Sequence, residues 1–158
     1  MSFLTISMEK NRTYVITLVT RKPRQIVDFD VAYDKSEERI QKIVDSSIKA
    51  KHYYSDANPS YQDVSYFGEH FYFRDKSHTF TVEGINSDIR KYIAALQRRS
   101  KCFFRSLETF KVVMRVFVHA YDKFCQFKID FPHLKSAVSL SQFLPSLQFR
   151  HYPFLLSA

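Results

Sequence analysis

Two glycines in 158 residues, Gly68 and Gly84, are the tightest constraint on what this chain can fold into. Ordinary usage is about 7%. Glycine supplies the left-handed and close-approach backbone that tight turns and phosphate-cradling loops depend on. No G-x-G-x-x-G fingerprint and no P-loop is present, which argues against the common nucleotide-binding folds. The turns must instead rest on proline and polar residues, as at Thr20-Arg21-Lys22-Pro23-Arg24 and Asn58-Pro59. The length suits one domain, and 45% hydrophobic residues is enough to build its core.

Strand patterns dominate the first half. Residues 12–19 (RTYVITLV) are β-branched and aromatic, with apolar side chains on both faces, which predicts a central strand. After the proline turn, residues 25–33 alternate. Val27, Phe29, Val31 and Tyr33 share one face while Asp28 and Asp30 share the other, as expected of a half-exposed strand near a sheet edge. Residues 2–7 supply a preceding strand or the end of one. A short helix follows, capped by Asp34 or Ser36 and carrying an Ile40, Ile43, Val44 stripe. Further strands are expected over 51–55, ending at Asp56, and over 70–73.

The second half reads as helical. Ile85, Ile89, Tyr92, Ile93 and Leu96 predict one helix from about 81 to 98. Leu107, Phe110, Val113, Met114, Phe117, Val118, Tyr121 and Phe124 predict another from about 106 to 124. Residues 129–158 form an apolar, proline-punctuated tail expected to be loosely ordered. The order strands, helix, two strands, two helices fits a mixed α/β layer fold, of which an RNase H-like sheet is one case.

The formal net charge is +8, which favours an anionic partner, nucleic acid above all. The excess is localised. Residues 90–115 carry eight Lys/Arg (Arg90, Lys91, Arg98, Arg99, Lys101, Arg105, Lys111, Arg115) against Glu108, a net of +7, whereas residues 1–82 carry a net of +1. A concentrated basic stretch suits a phosphate backbone; the plain alternative is a solvated face. Cys102 and Cys125 form no C-x-x-C pair, and the six histidines share no ligand spacing, so a structural zinc site is not expected. The opening MSFLTISMEKNR holds too short an apolar run for a secretory leader. No run approaches the ~20 apolar residues that span a bilayer, so a cytoplasmic protein without membrane partners is expected.

Asp56 stands where a strand ends, the place where α/β sheets gather functional groups; alternatively it is a turn former. Glu83 lies in the first turn of a helix, with Asn86 and Arg90 three and seven residues on. A carboxylate, an amide and a guanidinium at that spacing share one face and suit a cation-bound phosphate; alternatively they are a solvated face with a dipole-stabilising Glu.

The run from NRTYVITLVTRKPRQ through HYYSDANPSY to TVEGINSDIRKY and RRSKCFFRSLE resembles the transposases of the insertion-sequence-one family, over residues 3–128. The resemblance implies an RNase H-like mixed sheet flanked by helices. Its Asp-Asp-Glu set would include Asp56 as the second Asp and Glu83 as the Glu, both metal ligands, with Arg90 as the basic residue seven positions later. It also implies two Mg²⁺ or Mn²⁺ ions that cut and join DNA strands, DNA ends and target as partners, homo-oligomers, and association with the nucleoid. Asn86, Arg90, Lys91, Arg98, Arg99, Lys101 and Arg105 are the expected DNA contacts. Two departures stand out. Residues 1–10 contain no Asp for the opening strand, so that strand is expected to be partly missing, and no Cys-containing helix-turn-helix region is present. The expected activity is therefore DNA transposition by a truncated, inactive copy, the alternative being a non-catalytic remnant that binds the DNA backbone.

Overall fold

The computed structural model describes residues 2–8, 13–56, 58–73, 80–96, 104 and 106–144. The chain divides into two units, residues 1–86 and 87–158. The first is built on a five-stranded mixed sheet. Its strands are β1 (Ser2–Met8), β2 (Thr13–Val19), β3 (Ile26–Ala32), β4 (His52–Asp56) and β5 (Glu69–Phe73), in the order β3-β2-β1-β4-β5. β2 lies antiparallel between β1 and β3, while β1 runs parallel to β4 and β4 parallel to β5. The strand that is apolar on both faces is thus an interior one. Val15, Ile16, Thr17, Leu18 and Val19 are all 0% exposed. The half-polar strand β3 lies at one edge, as its alternation predicts. β1 pairs with β2 over seven positions, Ser2↔Val19 to Met8↔Thr13.

α1 (Glu37–Ser46) lies between β3 and β4 in the chain and covers one sheet face. Its stripe Ile40, Ile43 and Val44 joins Ile16, Leu18, Tyr53, Tyr61 and Val64 in one buried cluster. Each such side chain contributes about 1.5–3 kcal/mol of burial. Arg39 ties the helix to the edge strand through Asp30 (3.2 Å) and to the preceding loop through Asp34 (2.8 Å). Ser36 occupies the N-cap position but makes no side-chain cap bond. A Ser36 hydrogen bond first, with Arg39 adding to it, holds the Asp34 carboxyl below its ordinary range.

α2 (Phe80–Tyr92) begins in the first unit and ends in the second. It is shorter than its apolar repeat predicts, because from Ala94 to Leu96 the chain tightens into a 3₁₀ turn that keeps Ile93 and Leu96 buried. In the second unit, α3 (Leu107–Asp130) starts at Ser106, whose hydroxyl accepts from the Thr109 amide at 3.1 Å. Phe110, Val113, Met114, Phe117, Ala120 and Tyr121 form its buried stripe. It runs six residues past the expected end and stops just before Pro132, since a residue preceding proline is disfavoured in helical geometry. The segment after α3 is described as far as residue 144. Two 3₁₀ turns, Pro132–Leu134 and Leu140–Gln142, bring Leu140 and Leu144 to 2% and 7% exposure. Phe143 meets Phe124 and Phe127 edge-on at 5.6 and 5.7 Å. Residues 145–158 lie outside the described part. No helix among the described residues is long and apolar enough to cross a membrane.

Candidate functional site

Asp56 is the last residue of β4. Alternation along this strand sends Tyr53 and Ser55 into the α1-facing core and leaves Tyr54 and Asp56 half-buried on the other face. The Asp56 carboxylate accepts from the Asn58 amide at 3.2 Å, so it also does the local turn work that a bland reading assigns to it. Across the parallel ladder, Tyr54 is level with Phe71 and Asp56 with Phe73. On the other side Ser2 is level with Tyr54. Continuing that parallel register brings Leu4 level with Asp56.

Beneath Asp56, the buried Ser55 hydroxyl donates to the Asp56 carbonyl at 3.0 Å and lies 2.8 Å from His70 Nε2. A serine has one proton to give, so the network assigns Nε2–H of His70 as donor to Ser55. Ser55 is 0% exposed and its proton is committed to a carbonyl, which makes the pair a brace for the end of β4 and leaves no nucleophile. Burial lowers the His70 pKa from its ordinary 6.5. Its ring stacks on Tyr66 at 4.1 Å, and the Tyr66 hydroxyl donates to the Tyr61 carbonyl at 3.1 Å. Burial, then Tyr61 and Tyr53, push the Tyr66 phenol above its usual range.

Glu83 sits half-buried in the first turn of α2. Arg24, from the β2–β3 turn, flanks it on both sides. Its guanidinium donates to the Thr81 carbonyl at 3.1 Å and occupies the space a Cβ on Gly84 would need. Three residues earlier in the same turn, the Arg21 guanidinium lies 4.1 Å from the centroid of the Tyr54 ring. Two Cα atoms three residues apart are separated by at most about 11 Å. One short turn therefore reaches both the strand end that carries Asp56 and the helix start that carries Glu83. Sequence reasoning treated this turn only as the point where the ladder stops. The signal available was its composition, three cations around one proline.

The remaining expected residues divide. Asn86 is 1% exposed, and among the described residues neither its Oδ1 nor its Nδ2 has a hydrogen-bond partner. Its burial departs from the open polar face the helical spacing suggests, and a buried amide left unmatched is a costly feature. Arg90 is half-buried, and Lys91 is exposed with its ammonium 5.2 Å from the Tyr92 ring. Arg98, Arg99, Lys101 and Arg105 lie outside the described residues. Further along, Lys111 pairs with Glu108 at 3.7 Å and Arg115 is exposed.

A two-ion site needs more anionic ligands than Asp56 and Glu83 supply. Among the described residues no three His, Cys, Asp or Glu side chains gather to hold a metal. Among the described residues, Asp56 and Glu83 by themselves are too few to hold the implied pair of ions. No protein-family model and no curated protein matches the sequence.

Proposed function

We propose that this chain is the catalytic-core portion of an insertion-sequence-one type DNA transposase, RNase H-like in fold, whose acidic set is incomplete, so that it binds DNA without joining strands. The observation that carries the reading is the β2–β3 turn, which contacts the residues flanking both Asp56 and Glu83. Further support comes from the sheet, in which an antiparallel run of three strands is followed by two parallel ones, with Asp56 at the carboxyl end of the first of these. The localised positive charge supplies the attraction to phosphate. Mg²⁺ or Mn²⁺ and self-association enter only through the resemblance.

In this reading the lysines and arginines position the backbone, and Asp56 and Glu83 supply two of the carboxylates that a two-ion site requires. Purified full-length chain is expected to bind duplex DNA with an affinity that falls linearly on a log–log salt plot, and to give no strand transfer in Mg²⁺. Asp56→Asn or Glu83→Gln removes a negative charge beside the phosphates. Each is expected to tighten low-salt binding about 2- to 5-fold. Mg²⁺-dependent strand transfer by the purified chain would overturn the inactivity. Absence of DNA binding at low salt would overturn the DNA reading itself.

A further inference from the structure

β5 is an edge strand, and its aromatic residues are stepped against those of β4. Tyr54 stacks with Phe71 (centroids 5.6 Å apart, planes 22° apart) and with Phe73 (6.3 Å, 19°). The other ring contact of Phe71 is His52, at 5.9 Å. Both Phe71 contacts thus come from β4, on the inner side. Outward, no further strand pairs with β5 among the described residues, and Phe71 is 38% exposed. Phe71 shares its sheet face with Tyr54 and Asp56, because the register sets Tyr54 opposite Phe71 and Asp56 opposite Phe73.

Cations border this aromatic step. Arg21 covers the Tyr54 ring, Lys22 is exposed beside it in the chain, and Arg24 is exposed, with one N–H donating to Thr81. An exposed aromatic ring near a cationic turn offers what unpaired nucleotides need: a π-face for the base, and positive charge for the backbone phosphates. A duplex offers its phosphates but keeps its bases stacked inside, so it could use the cations and not Phe71.

We infer that the β2–β3 turn and the outer face of Phe71 form a binding site for single-stranded DNA, with phosphates on Lys22 and Arg24 and one base stacked on Phe71 beside Asp56. The inference rests on the transposase reading and adds to it the form of DNA held at the Asp56 end. It also moves the contact nearest the carboxylates from the 90–115 stretch to the turn.

The test uses the full chain and a fluorescently labelled oligodeoxythymidine of about 20 nucleotides, with the same strand annealed to oligodeoxyadenosine as the duplex probe. Phe71→Ala is expected to weaken single-strand binding about 5- to 150-fold and to leave duplex binding within about 2-fold. Lys22→Ala with Arg24→Ala is expected to lower the log–log salt slope for the single strand by about 1.4, two phosphate contacts at about 0.7 each. Circular dichroism and melting of each variant report that the fold is kept. Lys22→Ala alone, at an exposed position, serves as the second arm if the double variant is unstable, with a slope change of about 0.7. If the parent chain binds DNA but Phe71→Ala and the turn variants bind single strands as it does, the inference is wrong while the transposase reading stands. Equal losses on single strand and duplex for Phe71→Ala would also overturn it. If the parent binds neither probe, the transposase reading fails first.

Discussion

Gly68 offers the sharpest test of how β5 is fastened to β4. Its backbone lies so close to the start of β4 that a Cβ there would fall 2.3 Å from the Lys51 carbonyl oxygen and 2.5 Å from that of Ala50. Ordinary contact begins near 3.4 Å, so Gly68→Ala must part the two backbones by about 1 Å, and no flexible side chain stands there to yield. The same approach makes the Glu69 N–H···O bond to Lys51 at 2.9 Å, beside the first paired position, His52↔Glu69. Overpacking of this kind costs about 1–3 kcal/mol, and weakening that hydrogen bond adds about 0.5–1.5 kcal/mol. The expected loss is about 2–4 kcal/mol, or a melting midpoint lower by about 5–15 °C. Gly84→Ala is the internal control. There the Cβ meets only the far end of the Arg24 side chain, which can swing away. Loss of the bond to Thr81 is offset by about 0.5–1 kcal/mol gained from replacing a helical glycine, so the net change stays within about 1 kcal/mol. Thermal and urea melts of the two variants in parallel decide the matter. A Gly68→Ala midpoint within about 2 °C of the parent, or no worse than that of Gly84→Ala, would refute the close approach.

Two further predictions concern His70 and Ser106. Because burial sets the folded-state pKa of His70 below 6.5, the unfolded chain takes the proton more readily. The His70 contribution is therefore complete above 6.5 and is lost as pH falls through the folded value. Melting midpoints measured from pH about 7.5 to about 5 should drop faster for the parent than for His70→Gln, and parallel curves would disprove the assignment. Ser106→Ala removes the hydroxyl that caps α3 and should cost about 1 kcal/mol in urea unfolding of the second unit, with Ser106→Gly costing less; equal stability of all three proteins would count against the cap.

Much of the architecture follows from one-dimensional patterns. The two-faced apolar run over 12–19 has to be an interior strand, because either face left in water would expose several branched side chains. The Ile40, Ile43, Val44 stripe and the long stripe from Phe110 to Tyr121 likewise announce buried helix faces, since a 3.6-residue repeat is enough to define one. The basic excess in 90–115 and the carboxylates Asp56 and Glu83 are equally legible as chemistry. What such patterns cannot carry is contact between residues far apart in the chain. The extension of α3 and the docking of Phe143 on Phe124 and Phe127 depend on partners brought together by folding. So does the burial of Asn86, which its spacing alone assigns to an open face.

Local pattern sets the periodicities, the charge and the sparing use of glycine, and with them which segments become strands, which become helices, and which faces seek a core. Folding adds that β1 lies parallel to β4 with Ser2 level with Tyr54, and that Arg21 and Arg24 reach from one turn to Tyr54 and to the start of α2. The physical reason is range. Propensity and amphipathicity act within a few residues, whereas register and side-chain reach across a sheet come from matching surfaces separated by dozens of residues, where many pairings satisfy the same local pattern.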